Sequence, residues 1–368
     1  MGQEQINSTS EMAREKSLRP VLIISEQMVY EYSIFLEHLL VGLAGESIPV
    51  ALVCHPDSDV DFLVSPGVEV IRYPALRLPL MKRQNRKILA EQLAKFRPTV
   101  LHCLCQSEAS LTRKLAKQLD LSYVLTVNSL QERWGQFPIS LKRCAKIIVP
   151  TKTIADNFAK FYPRFVNRVE QINVGTFVAD STACFRDPSR LASMVTSHLL
   201  DDAGVFENLF GAVRHLAIDG YEFMLVVIGG GRAEKELRKL LTAQGLSQII
   251  TIVPRLKSWR SVFAAGDIFI QPGPTSMFNP LLLEAMAVGA AVASCKGGVD
   301  DLIIDGQTAV VFDPADELSI YASLQRLLDS RQFARQIASR AQQHLKQNHT
   351  VTKMVSAILQ AYSDAQDW

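Results

Sequence analysis

The chain has 368 residues, which is enough for two domains with a full core each. Its hydrophobic content of 48% and charged content of 21% are typical of a globular protein, and a formal net charge of +2 gives no reason to expect nucleic acid as a partner. No apolar run approaches the ~20 residues of a membrane span. The six cysteines lack the paired C-x-x-C spacing of a zinc site, so no metal is predicted.

Two polar segments stand out in the first hundred residues. Residues 1–18 lack the apolar core of a signal peptide, which predicts a disordered tail on a cytoplasmic protein. The segment from Arg77 to Lys87 mixes apolar residues with basic ones. Such a segment is typical of a solvated helix face, and the alternative is peripheral contact with anionic lipid at the inner face of the membrane.

The first half of the chain alternates short apolar strands with helical patterns. Strands are predicted at 21–25, 49–54, 68–73, 99–105, 123–127, 144–150 and 169–174. Helical spacing is found over 34–43, 88–96, 110–119 and 151–161. This alternation predicts a doubly wound parallel sheet over residues 19–175. Residues 176–193 show no periodicity and are predicted to be a linker.

The second half begins with a predicted helix at 204–216 and a strong strand at 223–228. Gly229, Gly230 and Gly231 then lead directly into a helix at 233–241. A strand–glycine–helix sequence allows the backbone to approach a phosphate at a helix N-terminus, although glycines also serve simply to turn tight corners.

The stretch 269–312 carries the most informative sequence. A strand ends at Ile270 and the proline–glycine run 272–274 breaks it. A helix of strong helix formers follows over 281–287, and Gly289 is predicted to end it. A strand from Ala291, a Gly297-Gly298 turn, Asp301 and an Asp305-Gly306 hairpin complete the stretch. Three further helices are predicted at 318–328, 333–345 and 351–362.

This arrangement resembles the nucleotide-sugar half of the GT-B-fold glycosyltransferases, specifically the retaining enzymes of family four. The RPTVLH sequence that ends at His102 is similar to a strand opening of the same family. The resemblance implies an α/β protein with two Rossmann-like domains facing across a cleft. These are an acceptor-side domain at 19–175 and a nucleotide-sugar-binding domain at 194–345, followed by a C-terminal helix within 346–368 that crosses back to the first domain.

The resemblance also implies a set of site residues. Glu284 matches the glutamate that accepts hydrogen bonds from the nucleotide ribose. The nucleotide would further contact Gly229, Gly230, Gly231 and Arg232. The donor sugar and its phosphates would lie near His198, Ser276, Met277, Phe278 and Asn279. A nucleotide-diphosphate sugar is expected as the donor substrate, with no metal and no other cofactor.

Several positions depart from the family pattern, which predicts a degenerate site without assigned catalytic residues. Ser276 occupies the place of a sugar-facing glutamate, and Asn128 that of a sugar-facing histidine. His198 and Ala203 replace the arginine and lysine that hold the diphosphate, and two carboxylates lie between them. The glycine-rich first loop is missing after Ser25. The remaining candidates for a cationic substitute are Arg232, Lys257 and Lys296.

The resemblance therefore predicts a transferase of the hexosyltransferase class. It would move a sugar from a nucleotide-diphosphate donor to a glycan, lipid or other acceptor. The alternative is a catalytically inactive glycosyltransferase-like protein that binds a ligand or a partner. A nucleotide-sugar epimerase, which can share the fold, ranks third because its acid–base carboxylates are not identifiable.

Overall fold

The computed structural model describes residues 17–73, 81–187, 189–254, 259–299 and 301–368. Most of the predicted tail at 1–18, the first part of the Arg77 to Lys87 segment, and Lys257 therefore lie outside the described residues. Within these ranges the chain forms two α/β domains, each built on a sheet whose strand pairs are all parallel.

The first domain contains a seven-stranded sheet. Its strands are β1 (Pro20–Ile23), β2 (Val50–Cys54), β3 (Val68–Arg72), β4 (Val100–Cys103), β5 (Tyr123–Thr126), β6 (Cys144–Val149) and β7 (Val169–Gln171). Their order in the sheet is β3-β2-β1-β4-β5-β6-β7. All residues of β1, β2, β4 and β5 are buried, as expected for the unbroken apolar runs of a sheet covered on both faces.

The helices described between the strands of this domain are α1 (Glu26–Glu31), α2 (Ser33–Gly45), α3 (Lys82–Phe96), α4 (Ala109–Leu119) and α5 (Lys152–Phe161). Helix α1 begins eight residues before the predicted apolar pattern, because the Ser25 hydroxyl caps it by accepting a hydrogen bond from the Met28 amide. Helix α3 starts at Lys82 rather than Ile88, because its first turns are exposed or half-buried and polar and so carry no apolar periodicity.

The second domain contains a six-stranded sheet. Its strands are β8 (Ala192–Ser197), β9 (Phe223–Ile228), β10 (Ile250–Val253), β11 (Ile268–Gln271), β12 (Ala291–Cys295) and β13 (Val310–Phe312). They are ordered β10-β9-β8-β11-β12-β13. Strand β8 begins inside the segment predicted to be a linker, and it is a central strand of this sheet.

The helices of this half are α6 (Gly204–Ile218), α7 (Glu234–Ala243), α8 (Trp259–Ala265), α9 (Pro280–Ala287), α10 (Glu317–Asp329), α11 (Arg331–Asn348) and α12 (Val351–Gln366). Helix α9 is buried along its whole length, between the sheet and the first domain. Asn279 caps it and Pro280 occupies its first turn, which is where a proline fits a helix.

Helix α12 packs on the first domain, against α2, β4, β5 and β6. Buried His102 of β4 lies 2.7 Å from the Tyr362 hydroxyl through Nδ1 and 2.7 Å from the Thr126 hydroxyl through Nε2. Burial lowers the pKa of His102 to about 3, so the ring is neutral. His102 is therefore a structural residue that attaches the end of the chain to the first sheet.

Candidate active site

A cavity of about 390 Å³ lies between the two domains. One wall is formed by α1 and the residue after it, and includes Gln27, Tyr30, Glu31 and Tyr32. The other walls come from the ends of β8 and β9 and from residues 274–281. The strands β8 and β9 of the second domain thus point their carboxyl ends at this cavity, which is the usual ligand position in open α/β sheets.

The glycine loop (residues 229–231) packs closely against the loop after β8 and also lines part of the cavity. A side chain on Gly229 would come within 2.1 Å of the His198 carbonyl oxygen, and one on Gly231 within 2.4 Å of the Leu200 backbone. Gly230 faces open space and lines the cavity together with Gly229. Two of the three glycines are therefore required by the close approach of the neighbouring loop, independently of any ligand.

The residues after β8 occupy different environments. His198 lines the cavity, and its Nδ1 lies 2.7 Å from the Leu199 carbonyl oxygen. Ala203, which stands where the resemblance expects a lysine, is only 6% exposed and belongs to the core of the second domain. The two nearby carboxylates are used within the loop, since Asp201 accepts from the Arg232 amide and Asp202 from the Gly204 amide.

The bridging loop (residues 272–279) joins β11 to α9 and touches the first domain. The Leu130 amide donates to the Ser276 carbonyl oxygen at 2.8 Å, and the Phe278 amide donates to the Asn128 carbonyl oxygen at 3.0 Å. Between these bonds, Met277 forms an isolated antiparallel bridge with Ser129. The exposed Ser276 and half-buried Met277 line the cavity, and Phe278 is buried against the core of the first domain.

Asn128 does not line the cavity in the described part of the chain. It is 8% exposed, and its side-chain amide donates to the Leu104 carbonyl oxygen at 2.9 Å. Its side chain therefore supports the loop between β4 and α4, while its backbone carbonyl holds the bridging loop.

Glu284 is not among the described residues that line the cavity; it lies in α9 three residues after Leu281, which does line it, and is 1% exposed. Its Oε1 accepts a hydrogen bond from the Thr176 hydroxyl, and its Oε2 lies 3.2 Å from Nη1 of Arg260. Burial raises the pKa of Glu284 to about 7, while the contacts with Thr176 and Arg260 oppose the rise. His38 Nδ1 is 3.7 Å from Oε1, but burial lowers the His38 pKa to about 4, so this contact is not an ion pair at neutral pH.

The surroundings of Glu284 could not have been found by sequence reasoning. Thr176 follows the first domain, Arg260 lies in the first turn of α8 and His38 lies in α2, so three distant segments converge on one carboxylate. No spacing along the chain links them. The guanidinium of Arg260 also donates to the Phe177 carbonyl oxygen and so fixes the start of the interdomain segment.

Of the predicted cationic substitutes, Arg232 and Lys296 belong to the described residues, and neither of these two lines the cavity. Arg232 is exposed and its Nε donates to the Asp201 carbonyl oxygen at 3.1 Å. Lys296 is exposed next to the glycine turn. Among the described residues that line the cavity there is no lysine or arginine, and His198 is the basic side chain there.

Asp301 contacts the first domain rather than the cavity. Its carboxylate accepts from the Lys152 amide at 2.6 Å and from the Thr153 hydroxyl at 2.9 Å, at the N-terminus of α5. Gly297 and Gly298, which precede it, have φ values of +78° and +130°, which explains why glycines form this turn.

Membrane contact, the alternative given for Arg77 to Lys87, is not tested by the structure. The first part of the segment falls outside the described residues, and Lys82 to Lys87 form the first turns of α3. In the ranges that the structure describes, no helix is both long enough and apolar enough to span a bilayer.

Two Rossmann-like domains with a cavity between them define the GT-B architecture. Residues 196–344 match the model of the family Glycosyl transferases group 1. This part of the chain, which contains β9, the bridging loop and α9, is therefore a glycosyl transferases group 1 domain, in agreement with the resemblance.

The sequence is also similar to those of individual transferases. The chain is 30% identical to the sulfoquinovosyl transferase SQD2 of Arabidopsis thaliana over 124 residues, which are 33% of this chain and 24% of that protein. It is 28% identical to a D-inositol 3-phosphate glycosyltransferase of Pseudarthrobacter chlorophenolicus over 188 residues, 46% of this chain and 44% of the relative. The matches thus span less than half of either relative.

A solved structure extends the similarity of fold to both domains. The Anabaena protein Alr3699/HepE, in complex with UDP and glucose, superposes with a TM-score of 0.79 at 14% identity. The superposition covers 94% of this chain and 99% of the Anabaena chain. The GT-B fold is therefore shared over nearly the whole length.

Proposed function

We propose that this protein is a glycosyltransferase that moves a sugar from a nucleotide-diphosphate donor to a glycan, lipid or other acceptor, with the retaining chemistry of family four. The proposal depends mainly on the cavity, which lies between the domains at the carboxyl ends of β8 and β9 within a group 1 domain. The names of two relatives describe sugar transfer, and the Anabaena structure contains UDP and glucose.

In this proposal the second domain binds the donor. The glycine loop and His198 lie next to the diphosphate, and the bridging loop lies next to the sugar. The Thr275 hydroxyl oxygen is buried in the wall of the cavity with no hydrogen-bond partner among the described residues, so a donor oxygen could supply one. Transfer would then depend on positioning and on stabilising the charge of the departing diphosphate, with no protein nucleophile.

Glu284 is proposed as the ribose ligand, although its carboxylate is already bound by Thr176 and Arg260. A ribose hydroxyl would have to displace one of these groups or share Oε2 with the half-exposed Arg260. If it does, Glu284→Gln should weaken nucleotide binding by about 10- to 100-fold, as expected for one charge-assisted hydrogen bond.

One observation favours the alternative of a binding protein without turnover. The described residues that line the cavity include Glu31 but no lysine or arginine, so the charge of a leaving diphosphate is met only by His198, by backbone amides or by residues outside the described lining. Binding and turnover must therefore be measured separately.

Calorimetric titration with UDP, GDP and ADP tests the binding, and release of UDP from UDP-glucose tests the turnover. Gly230→Leu should weaken binding roughly tenfold or more, which corresponds to at least ~1.4 kcal/mol, because the new side chain enters the cavity without straining the backbone. Gly45→Leu is the matched control, since Gly45 also faces open space but lies far from the cavity at the end of α2.

The outcomes separate the proposals. No heat with any nucleotide at millimolar concentration contradicts nucleotide binding. Equal affinities of the wild-type protein and the Gly230→Leu variant mean that a nucleotide binds elsewhere. Binding without release of UDP, with an acceptor mixture present, favours the protein without turnover.

A further inference from the structure

The bridging loop is fixed at its ends by the second domain and in its middle by the first. Asn279 secures the carboxyl end, because its Oδ1 accepts from the Leu281 amide at 3.0 Å and from the Leu282 amide at 3.3 Å. The middle has no helix or strand of its own and is held by the backbone bonds to residues 128–130. Ser276 and Met277 thus belong to the second domain, but the first domain holds them in place in the wall of the cavity.

Tyr32 adds a side-chain hydrogen bond between the α1–α2 junction and this loop. It lies at the junction of α1 and α2, is 5% exposed, and donates from its hydroxyl to the Phe278 carbonyl oxygen at 2.8 Å. Its ring packs edge-to-face on Phe35, with the ring centroids 6.5 Å apart, so the hydroxyl is held in a fixed direction. Tyr32 also lines the cavity itself.

From this geometry we infer that Tyr32 is a positioning residue for the donor sugar, acting through the bridging loop. The inference rests on the proposed function. The Phe278 amide and carbonyl are both bonded to the first domain, so the two residues before it, Ser276 and Met277, are held at a fixed distance from the opposite wall. Without the hydroxyl the Phe278 carbonyl oxygen would be buried and unpaired, and the loop would gain freedom where the sugar is expected to lie.

The expected effect is selective for the sugar. In the proposed mode of binding, UDP alone contacts the glycine loop, His198 and Glu284, whereas UDP-glucose also contacts the bridging loop. Tyr32→Phe should therefore weaken binding of UDP-glucose, and lower kcat/KM for its turnover, by about tenfold, a typical effect of one lost buried hydrogen bond with some misplacement. The affinity for UDP should stay within about twofold of the wild-type value.

Tyr362→Phe is the matched control. Tyr362 is also buried and its hydroxyl also makes one hydrogen bond, to His102, but it lies in α12 and not at the cavity. Both variants should lower the melting temperature by a few degrees. Only Tyr32→Phe should change the ratio of the UDP and UDP-glucose affinities.

Hydrogen exchange gives a readout that does not depend on activity. Tyr32→Phe should speed exchange of the Phe278 and Leu130 amides relative to Tyr362→Phe, because both amides bond across the domains. If the wild-type protein binds no nucleotide, the proposed function fails and this exchange still decides whether Tyr32 orders the loop. Unchanged exchange, or equal losses of UDP and UDP-glucose affinity, would overturn the positioning role.

Discussion

Glu284 is a buried residue whose charge state affects stability. Burial raises its folded-state pKa to about 7 from an ordinary value of 4.5, with the Thr176 and Arg260 contacts opposing the rise and Glu37 adding to it. A group whose pKa is raised on folding contributes stability below its unfolded pKa and loses that contribution as the pH rises through the folded pKa. The contribution of Glu284 to stability is therefore lost as the pH rises from about 4.5 to about 7.

Glu284→Gln should remove this dependence. The amide keeps an acceptor for Thr176 but has no charge to desolvate. The free energy of unfolding of the variant, relative to that of the wild-type protein, should therefore increase by roughly 3 kcal/mol as the pH rises from 4.5 to 8. Urea unfolding of both proteins at several pH values measures the difference and cancels the opposite contribution of the buried histidines. A difference that does not change with pH would mean that Glu284 titrates normally.

Other residues could be assigned from local sequence alone. The structural role of His102 was predictable because a histidine inside an apolar strand is usually buried and hydrogen-bonded, and the positive φ values of Gly297 and Gly298 were predictable from the turn. The contacts of Asn128 and Arg260 were not predictable, because each depends on segments that meet only after both domains have folded.

At the scale of elements, α5 depends on a carboxylate from the other domain. Thr151 caps the helix from within the first domain, and Asp301 adds a negative charge at the same N-terminus. Because the N-terminal end of a helix carries a partial positive charge and unpaired amides, such a charge is stabilising.

Asp301→Ala should cost about 1 kcal/mol of unfolding free energy and speed exchange of the Lys152 amide. Asp305→Ala serves as the control, because the hydrogen bond described for the Asp305 carboxylate comes from the Val311 amide within its own domain. Thermal unfolding and amide exchange measure both effects. Equal exchange at Lys152 in the two variants would show that the contact across the domains contributes nothing.

Elements with strong periodicity were predicted from the sequence and those without it were not. The strands β1, β2 and β9 are apolar runs, whereas β8 (ASMVTS) mixes serine and threonine with apolar residues and was not predicted as a strand; its first two residues fell in the predicted linker. Its place in the sheet comes from pairing with β9 and β11, which no local pattern encodes. Helix α1 was missed because its stability comes from a cap and its burial is partial.

At the scale of the whole molecule, the two domains are tied together at several separate places. Thr176 and Thr350, which lie on the two chain segments that pass between the domains, pair in a parallel bridge. A side chain on Gly175 would come within 2.7 Å of the Thr350 carbonyl oxygen, so these segments touch without space for a Cβ atom. The bridging loop and Asp301 join the domains at further places along the chain.

Helix α12 crosses α2 closely, so the contact between the end of the chain and the first domain can be tested by adding one methyl group to α2. A Cβ on Gly42 of α2 would lie 2.4 Å from Val355 Cγ2 and 2.9 Å from Val351 Cγ1, and neither branched side chain has a flexible end to move away. Gly42→Ala should therefore force the helices apart and cost about 1–3 kcal/mol of unfolding free energy. Because α12 follows the second domain in the chain but packs on the first, the change should also speed amide exchange near Thr176.

Gly45→Ala, one turn further along α2, isolates the effect of packing. Gly45 has no neighbour within 4 Å of its Cβ position, and alanine favours helix over glycine, so this variant should be unchanged or more stable by up to ~1 kcal/mol. Thermal unfolding of the two variants gives the comparison directly. If both substitutions stabilised the protein equally, α12 could not be packed against Gly42 in solution, and the close crossing of the last helix over the first domain would be wrong.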